Sequence, residues 1–350
     1  MQTVIILCGG ESGEHEVSLQ SAKSIIQYIP KDKYRVIPVG ISKKGNWVTG
    51  DPLFINENDP SNIGLAGDLE PAILEKGKLN GQKIDVIFPI IHGTYGEDGC
   101  LQGLLQMQHA PYVGSGVLGS AVGMDKDIMK RLLLPAGIRC ARHVVISQRR
   151  KDRPSYRDIS SELGEILFVK PCNLGSSIGI SKCRNREGYD RAVEYALEFD
   201  KKVIVEEFVD GREIEISVLG NEKVEVSIPG EIIPGEEFYS YNSKYIDSNA
   251  TELKIPAQLD ADVINEIQAV AKKAFLLLEL EGMARIDFFV KKNGEVWLNE
   301  VNTLPGFTNI SMYPKLWEAS GIPYPELIDR LLQLAIERYN LEKNLKRNKV

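Results

Sequence analysis

The 350-residue chain is 43% hydrophobic and 26% charged, an ordinary globular composition that excludes a fibrous or intrinsically disordered protein. Its formal net charge of −7 and isoelectric point near 5.4 argue against a broad basic surface for nucleic acid. The length exceeds what one hydrophobic core usually supports, so we expect two or three packed lobes with a cleft between them.

The sequence contains no segment typical of a membrane anchor or a secretory leader. The N-terminal apolar stretch 4–8 is too short for either, and no Lys or Arg precedes it. The five cysteines form no Cys-x-x-Cys pair and are odd in number, which favours neither a zinc site nor a disulfide framework. We therefore expect a cytoplasmic protein that does not associate with membranes.

The first third of the chain alternates apolar runs with amphipathic patterns. Apolar runs at 4–8 and 84–89 are typical of buried strands, and helical patterns follow at about 17–29 and from about Cys100. This alternation predicts a parallel α/β layer. Both strands end in glycine-bearing loops, and ligands of such sheets bind at the carboxyl ends of the strands.

The second half of the chain has a different pattern, in which strand-like segments dominate. Segments at 203–208, 213–219 and 224–228 precede a helical pattern over 261–280, and they favour a more antiparallel, α+β arrangement. A polar, tyrosine-rich stretch over 236–249 interrupts them. Long polar loops of this kind often act as lids over active sites.

Two strand-like segments, 283–291 and 295–301, flank Asn293-Gly294, a strong signal for a two-residue hairpin turn. Counting back from that turn, Asp287 lies opposite Glu300 and Arg285 opposite Asn302, and all four side chains share one face. The other face carries core-forming residues, with Asn299 as a polar exception. These core residues are Ile286, Phe288, Val290, Trp297 and Val301.

The predicted pairing suggests a metal site. Two directly opposed carboxylates repel each other and destabilise a hairpin, and a divalent cation between them removes that penalty. Asp287, Glu300 and the amide oxygen of Asn302 are oxygen ligands of the kind that Mg²⁺ prefers. The alternative is a solvated polar face on which Arg285 neutralises one acid.

A phosphate site is predicted after the apolar strand at 166–170. Lys170 ends this strand, and the loop that follows holds two glycines and two serine hydroxyls in Gly175-Ser176-Ser177-Ile178-Gly179. Backbone N–H groups, hydroxyls and an ammonium together can cradle phosphate. The P-loop pattern is absent from the sequence, so a different phosphate-binding design is required.

The segment Gly114-Ser115-Gly116-Val117-Leu118-Gly119 matches the dinucleotide fingerprint Gly-x-Gly-x-x-Gly. The signal is weak because the segment follows a poor strand at 111–113, and no acidic residue closes a second strand about twenty residues later. A dinucleotide-binding or catalytically silent nucleotide-binding module is therefore an alternative with little support.

Five motifs, taken together and in this order, resemble the D-alanine:D-alanine ligase family of the ATP-grasp superfamily. They are Gly9-Gly10-x-Ser12-x-Glu14-x-Glu16-Val17-Ser18, His92-Gly93-x-x-Gly96-Glu97-Asp98-Gly99, Met124-Asp125-Lys126, Lys170-Pro171 with Gly175-Ser176-Ser177, and Glu300-x-Asn302-Thr303-x-Pro305-Gly306. The resemblance covers nearly the whole chain. It implies an ATP-grasp fold: an N-terminal parallel α/β domain at 1–125, a central lobe at 126–210, and a C-terminal lobe at 211–350 that carries metal and catalytic residues. The active site is then expected between the two ATP-grasp lobes.

The same resemblance implies an enzyme that joins two D-alanines with ATP through a D-alanyl phosphate intermediate, releasing ADP and phosphate, for peptidoglycan precursor synthesis. It implies two Mg²⁺ ions, for which Mn²⁺ can substitute. The expected partners are D-alanine, ATP and a second copy of the chain in a homodimer, without nucleic acid or membrane.

The resemblance also assigns nucleotide and metal ligands. Lys126 and Lys170 hold ATP phosphates or the nucleotide edge, the strand 206–209 meets adenine with its backbone, and Glu213 binds the ribose. Lys244 reaches the γ-phosphate from the lid stretch. The full expected ATP set is Lys126, Lys170, Ser177, Glu206, Glu207, Phe208, Val209, Glu213 and Lys244, and the expected metal ligands are Asp287, Glu300 and Asn302.

For the first D-alanine, the resemblance implies that Glu14 anchors the ammonium group. Ser176 and Tyr245 orient Glu14 through hydrogen bonds, and His92 lies close to the same substrate. Each of these assignments has an alternative when it is taken alone. Glu14 is also a suitable partner for a helix dipole, His92 a satisfied loop histidine, and Tyr245 a packing aromatic residue.

For the second D-alanine, the resemblance implies that Arg285 and the N–H of Gly306 stabilise the developing oxyanion. Ser311 binds the second carboxylate, and Met312 belongs to the same subsite. A related ligase that makes D-alanyl-D-serine or D-alanyl-D-lactate is the alternative. In the family, Tyr at the position of Tyr245 and a residue other than arginine at Met312 accompany the dipeptide product.

Overall fold

The computed structural model describes residues 1–50, 69–149, 152–176, 178–234 and 251–346. The strands of its first part are β1 (Gln2–Gly9), β2 (Tyr34–Ile41), β3 (Trp47–Thr49), β4 (Glu70–Pro71), β5 (Leu74–Glu75), β6 (Lys78–Leu79), β7 (Gln82–Lys83) and β8 (Val86–Pro89). A sheet of order β4-β3-β2-β1-β8 forms the centre, with β1 parallel to β2 and β8. A small antiparallel sheet of order β5-β6-β7 lies beside it. The predicted parallel α/β layer is confirmed.

Four helices belong to the first part, and the first three of them follow glycine-bearing loops. They are α1 (His15–Tyr28), α2 (Cys100–Met107), α3 (Val117–Met124) and α4 (Lys126–Leu133), with a 3₁₀ turn at Leu134–Ala136. The side chain of Asp125 caps α4 by accepting hydrogen bonds from the backbone N–H groups of Asp127 and Ile128, both at 3.1 Å. The cap fixes Lys126 at the first helical position.

A second sheet follows, with α5 (Tyr156–Leu163) and α6 (Arg186–Leu197) beside it. Its strands are β9 (His143–Ser147), β10 (Leu167–Pro171), β11 (Ser181–Cys183) and β12 (Lys202–Glu207). They form an antiparallel sheet of order β11-β10-β12-β9. Buried residues of both helices share one core with it, including Ile159, Leu163, Ala192 and Val193.

A third sheet carries the predicted hairpin. Its strands are β13 (Arg212–Gly220), β14 (Glu225–Val226), β15 (Gly230–Pro234), β16 (Thr251–Lys254), β17 (Gly282–Val290) and β18 (Val296–Asn302). The order is β16-β15-β13-β17-β18, with β14 paired to β13, and the paired strands run antiparallel. The helix α7 (Ala261–Leu277) buries Ile267, Ala271 and Phe275 against one face. The expected antiparallel second half is confirmed.

The chain ends in α8 (Met312–Ala319) and α9 (Tyr324–Glu342), and α9 returns to the first sheet. Leu327 and Leu331 of α9 share a core with Val4 and Phe88 of that sheet. The guanidinium of Arg338 is buried and donates to the carbonyl oxygens of Tyr112 (2.9 Å) and Gly114. The C-terminal helix therefore joins the first and third sheets.

Two element bounds differ from the sequence prediction. The strand predicted at 224–228 covers only Glu225–Val226, because the Ser227 hydroxyl accepts the N–H of Ser217 (3.0 Å) in place of a ladder bond. The helix predicted to 280 ends at Leu277, since Glu279 adopts a left-handed backbone with φ of 53°. The lid stretch 236–249 lies outside the described residues. Among the described residues, no helix has the length and apolar character needed to span a membrane.

Candidate active site

The hairpin of β17 and β18 has the predicted pairing at its functional end. Asp287 lies opposite Glu300, and Arg285 lies opposite Asn302. Directly opposed side chains on an antiparallel pair share one face, with their Cβ atoms about 4.5–5.5 Å apart. Two carboxylates are therefore held side by side by the backbone itself.

The turn of this hairpin differs from the prediction. The N–H of Lys291 donates to the carbonyl oxygen of Glu295 (3.0 Å), so the loop is 292–294, with Gly294 in the left-handed region at φ of 85°. The predicted two-residue turn, with Lys292 facing Glu295, was wrong by one position. A bulge farther along, where Asn299 is the extra residue, restores the predicted partner for Asp287.

The bulge also explains a wrong assignment of Trp297 to the core face. Trp297 pairs with Phe289, and both are half-buried on the polar face of the sheet. The core face carries Val296 and Leu298 in its place. Because side chains alternate along a strand, one extra residue in β18 reverses the face of each β18 residue on the turn side of the bulge, while Phe288 and Val290 of β17 stay on the core face.

A cavity of about 490 Å³ lies between the second and third sheets. Charged and aromatic side chains of both sheets line it, including Phe168, Lys170, Glu206, Asp287, Phe289 and Glu300. Four more residues of the expected ATP set also contribute to the lining: Glu207, Phe208, Val209 and Glu213. The volume and the polar groups at its wall suit a small-molecule site.

One wall of the cavity contains a buried ion cluster. The carboxylate of Glu206 lies 2.6 Å from the ammonium of Lys170 and 2.9 Å from that of Lys130, and Lys130 is fully buried. Burial alone would raise the pKa of Glu206, but Lys130 and Lys170 outweigh it and lower the pKa to about 2. Two cations against one anion leave this wall with a net positive charge.

Lys126 connects the glycine-rich loop to the hairpin. Its ammonium donates to the carbonyl oxygen of Leu174 (2.7 Å) and lies 3.8 Å from the carboxylate of Glu300. Its backbone N–H donates to the carbonyl oxygen of Cys172 (3.1 Å). The two lysines that sequence motifs selected, Lys126 and Lys170, thus lie on the two sides of the loop that follows β10.

At the cavity mouth, Phe208 presents its side chain while Glu207 is occupied elsewhere. The carboxylate of Glu207 accepts from the guanidinium of Arg142 at 2.7–2.8 Å. The Phe208 ring stacks against Phe168 with centroids 6.0 Å apart, and the ammonium of Lys182 lies 4.9 Å from its centroid. An aromatic platform at this point suits a flat heterocycle.

The opposite wall carries an acidic row around Arg285. The guanidinium binds both carboxylate oxygens of Asp287 at 2.8 Å, and its Nε lies 3.1 Å from the carboxylate of Glu215. Glu215 faces Asp287 across β13 and β17, just as Asp287 faces Glu300. The alternative to a metal site was that Arg285 neutralises one of the acids. This ion pair is present in the structure.

Three loops from distant parts of the sequence meet at Glu14. The Ser176 hydroxyl donates to the Glu14 carboxylate, and the Ser12 hydroxyl donates to the carbonyl oxygen of His92 (2.8 Å). A Cβ atom on Gly93 would lie 2.8 Å from a Glu14 oxygen, so this close approach requires glycine. The expected Tyr245, Ser177 and Lys244 lie outside the described residues.

His92 is buried and uses both ring nitrogens within the protein. Nδ1 lies 3.0 Å from the carbonyl oxygen of Leu304, which requires Nδ1–H, and Nε2 lies 3.3 Å from the Ser21 hydroxyl. Burial, helped by the nearby charge of Arg285, lowers the pKa of His92 to about 4. A neutral His92 thus connects the loop at 304–307 to α1 through hydrogen bonds. This is the arrangement expected of a loop histidine whose ring nitrogens are both hydrogen-bonded within the protein.

The segment between β18 and α8 holds the remaining expected residues. The Ser311 hydroxyl accepts the N–H of Thr308 (3.0 Å), and a Cβ atom on Gly306 would lie 2.8 Å from this hydroxyl oxygen. Met312 is buried against Ile232 and Leu316. Gly306 and Ser311 are thus held together, while Met312 packs into the core.

Sequence reasoning assigned no role to three residues of this site. Glu215 lies two residues after Glu213, and therefore on the same face of the strand. Lys130 follows Lys126 by one helical turn. Both spacings could be seen in the sequence. Glu97 lies in a quoted motif, and its Oε2 accepts the N–H of Gly93 (2.7 Å). Burial, and then the charge of Glu14, raise the pKa of Glu97 to about 8.

Comparison with known proteins identifies ligase relatives over almost the whole chain. The family described as D-ala D-ala ligase N-terminus matches residues 3–115, and D-ala D-ala ligase C-terminus matches residues 132–333. A D-alanine–D-alanine ligase of Oceanobacillus iheyensis is 49% identical, and the match covers 97% of each chain.

Solved structures give the same result. The VanG D-Ala:D-Ser ligase of Enterococcus faecalis is 34% identical with a TM-score of 0.85, covering 95% of this chain and 99% of that one. A D-alanine–D-alanine ligase of Bacillus anthracis, complexed with ATP, is 25% identical with a TM-score of 0.76, covering 98% of this chain and all of that one.

We predict that Glu97→Gln removes a pH-dependent loss of stability. The carboxyl of Glu97 has a pKa near 4.5 when unfolded and about 8 when folded, so the native state keeps a proton that the unfolded state loses. Its contribution to stability is therefore complete below pH 4.5 and is lost as pH rises towards 8. Melting temperatures at pH 5, 6.5 and 8 should fall less for Glu97→Gln than for wild type, the difference corresponding to a few kcal/mol, on the order of 1.4 kcal/mol per pKa unit.

The control for this comparison is Glu198→Gln, at an exposed position after α6. Its melting temperature should follow that of wild type at every pH. If Glu97→Gln also follows wild type at every pH, Glu97 does not carry the extra proton.

Proposed function

The chain belongs to the D-alanine–D-alanine ligase family, and from that membership we propose that it joins two D-alanines into D-alanyl-D-alanine for peptidoglycan precursors. It is an ATP-dependent carbon–nitrogen ligase with the ATP-grasp fold. The observation that carries the proposal is that both halves of the ligase family match in chain order, and that the two sheets within the C-terminal match enclose one cavity.

The chemistry requires activation of a carboxylate, which is a poor electrophile. A carboxylate oxygen of the first D-alanine attacks the γ-phosphorus of ATP, and the bond to ADP breaks, giving D-alanyl phosphate. The neutral amine of the second D-alanine then attacks the acyl carbon, and phosphate leaves. Positioned cations and hydrogen-bond donors are the appropriate catalysts for both steps.

ATP is assigned to the cavity between the second and third sheets. Lys126 and Lys170 contact its phosphates, adenine lies along 206–209 beside the Phe208 ring, and Glu213 binds the ribose. The buried cation cluster of Lys130, Lys170 and Glu206 supports this placement, because phosphate supplies the missing negative charge. Ser177 and Lys244, outside the described residues, complete the γ-phosphate site.

Magnesium is assigned to Asp287, Glu300 and Asn302. The donor set fits, since two paired carboxylates and an amide oxygen are hard ligands, and in this structure the charges of Arg285 and Lys126 offset the acids. Two ions, Mg²⁺ or Mn²⁺, are proposed, and when bound they would neutralise charge on the phosphate oxygens. The residues Arg285 and Lys126 keep the acidic wall ordered by pairing with its carboxylates.

The amino acid substrates are assigned to the meeting point of the loops. Glu14, oriented by Ser176 and Tyr245, binds the ammonium of the first D-alanine, and His92 holds the neighbouring backbone. A neutral Glu97 behind Glu14 is consistent with this role, because it adds no second negative charge.

The second D-alanine is assigned to the segment after β18. Arg285 and the N–H of Gly306 stabilise the oxyanion, a charge that develops in the transition state and therefore increases the rate when it is bound. Ser311 binds the second carboxylate. Met312 borders this subsite from the buried side.

A ligase that joins D-alanine to D-serine is the second candidate, because VanG, a D-Ala:D-Ser ligase, superimposes on nearly the whole chain. D-Lactate is a third acceptor of the same class. The dipeptide is favoured by Tyr245 and by the absence of arginine at Met312.

Three further assignments rest on the family alone. We place the protein in the cytoplasm as a homodimer, and we retain the three-lobe division with boundaries after 125 and 210. Each sheet falls within one of these segments, while α9 packs against the first sheet.

We predict magnesium-dependent release of ADP with ATP and D-alanine alone, and no turnover with L-alanine. Parallel reactions contain D-alanine with D-serine or D-lactate, and the products are identified by mass spectrometry. Turnover that appears only in a mixture would keep the ATP chemistry and reassign the second substrate.

We also predict that Arg285→Ala lowers turnover at least tenfold, about 1.4 kcal/mol in activation free energy. The physical reason is the loss of a charged donor at the oxyanion. Steady-state kinetics measure the effect, with Arg330→Ala, a half-buried α9 arginine paired to Glu326, as the control. Unimpaired turnover in Arg285→Ala would remove Arg285 from the mechanism.

A further inference from the structure

Three carboxylates lie side by side across the third sheet. Glu215 on β13 pairs with Asp287 on β17, which pairs with Glu300 on β18. Glu215 is 5% exposed and Asp287 is 9% exposed. Buried like charges at directly opposed positions destabilise a sheet unless cations compensate them.

Arg285 is the cation shared by two of these acids. Its guanidinium binds Asp287 through two bonds of 2.8 Å, and its Nε lies 3.1 Å from Glu215. Glu300, at the far end of the row, lies instead 3.8 Å from the ammonium of Lys126. Arg285 therefore lies between two anions, and only one of them, Asp287, belongs to the proposed metal site.

The proposed function gives Asp287 two competing partners. A divalent cation held by Asp287 and Glu300 repels the positive guanidinium of Arg285, which also binds Asp287. Arg285 must nevertheless stay at the reacting carbonyl to act on the oxyanion. It needs a second anion, on the side of Asp287 away from the metal.

We propose that Glu215 is the positioning residue that holds Arg285 at the reacting carbonyl when a divalent cation occupies Asp287 and Glu300. The inference rests on the proposed function. Glu215 lies on the side of Asp287 opposite Glu300, one strand spacing, about 4.8 Å, farther from the metal. Glu215 acts on the guanidinium of Arg285 and, through it, on the reacting carbonyl.

We assign Glu215 to Arg285 and not to the metal site. A carboxylate so deeply buried requires a cationic partner, and the Nε of Arg285 lies at ion-pair distance from it.

The first test is Glu215→Gln, which keeps the shape of the side chain and removes its charge. We expect kcat to fall about tenfold, while KM for ATP changes less than about threefold, because Arg285 and not the nucleotide loses its anchor. Glu215→Asp, which keeps the charge, should recover part of the loss. Unchanged kcat in a folded Glu215→Gln variant would overturn the inference.

The second test is a double-mutant cycle with Arg285→Ala. If Glu215 acts through Arg285, Glu215→Gln should cause no further loss of kcat in the Arg285→Ala background. Additive losses would show that Glu215 acts independently of Arg285, and would overturn the inference.

A binding measurement complements the kinetics. Mn²⁺ affinity in the presence of ADP is measured from the paramagnetic resonance signal of free Mn²⁺. In Glu215→Gln we expect Mn²⁺ to bind at least threefold more weakly, because Arg285 then competes more strongly for Asp287, and the effect should shrink in the Arg285→Ala background. An equal effect in both backgrounds would mean a simple charge effect on the metal and would contradict the inference.

The matched control is Glu231→Gln. Glu231 lies in the same sheet, is 7% exposed, and binds Arg212 through two bonds of 2.7 Å. It should leave kcat and Mn²⁺ affinity unchanged. Wild-type turnover of D-alanine is measured first: its absence would reject the proposed function, whereas normal wild-type turnover with an unaffected Glu215→Gln would reject only the role of Glu215.

Discussion

The register of one hairpin determines the chemistry of this protein. Pairing Asp287 with Glu300 places their Cβ atoms about 5 Å apart on the same face, and the adjacent strand adds Glu215. Such a row is stable only with cations beside it. Arg285 and Lys126 supply them in this structure, and each of these cations also belongs to a site expected for substrate or nucleotide. Arg285 and Lys126 therefore both compensate the acids of the sheet and belong to the expected binding sites.

The sequence predicted this face of the hairpin correctly although it predicted the turn incorrectly. Asn293-Gly294 signalled a hairpin, but the observed loop is one residue longer, and a bulge at Asn299 compensates. A bulge leaves no pattern in a single sequence except a polar residue on an apolar face, and Asn299 was noted for that reason. Trp297 was misplaced for the same cause. The alternation of side chains along a strand predicts which face a residue occupies only as far as the next bulge. The wrong assignment therefore lies in β18, between the bulge and the turn.

Motifs and periodicity predicted the parallel first sheet, the antiparallel second half and the residues that converge at Glu14. Lys130 and Glu97 lie beside or within the quoted motifs, but their burial and their partners depend on tertiary contacts that no local pattern shows. The same holds for the two partners of the His92 ring. Lys130, on α4, acquires its partner Glu206 from β12, more than seventy residues away. His92 acquires its partners Leu304 and Ser21 from segments more than seventy residues away. Burial and pairing across such distances are properties of the fold, not of a local pattern.

The two walls of the cavity differ in charge, and this difference defines what fits between them. At the second sheet, Lys170 of β10 and Lys130 of the adjacent α4 share the acid Glu206, so an anion is attracted there. On the third sheet, three acids share Arg285 and a more distant Lys126, so a cation is attracted there. The ligand of the proposed function, a nucleotide polyphosphate with a divalent metal, would match both walls, with its anionic oxygens at the first wall and its metal at the second. The polyphosphate alone or the metal alone would compensate only one of them.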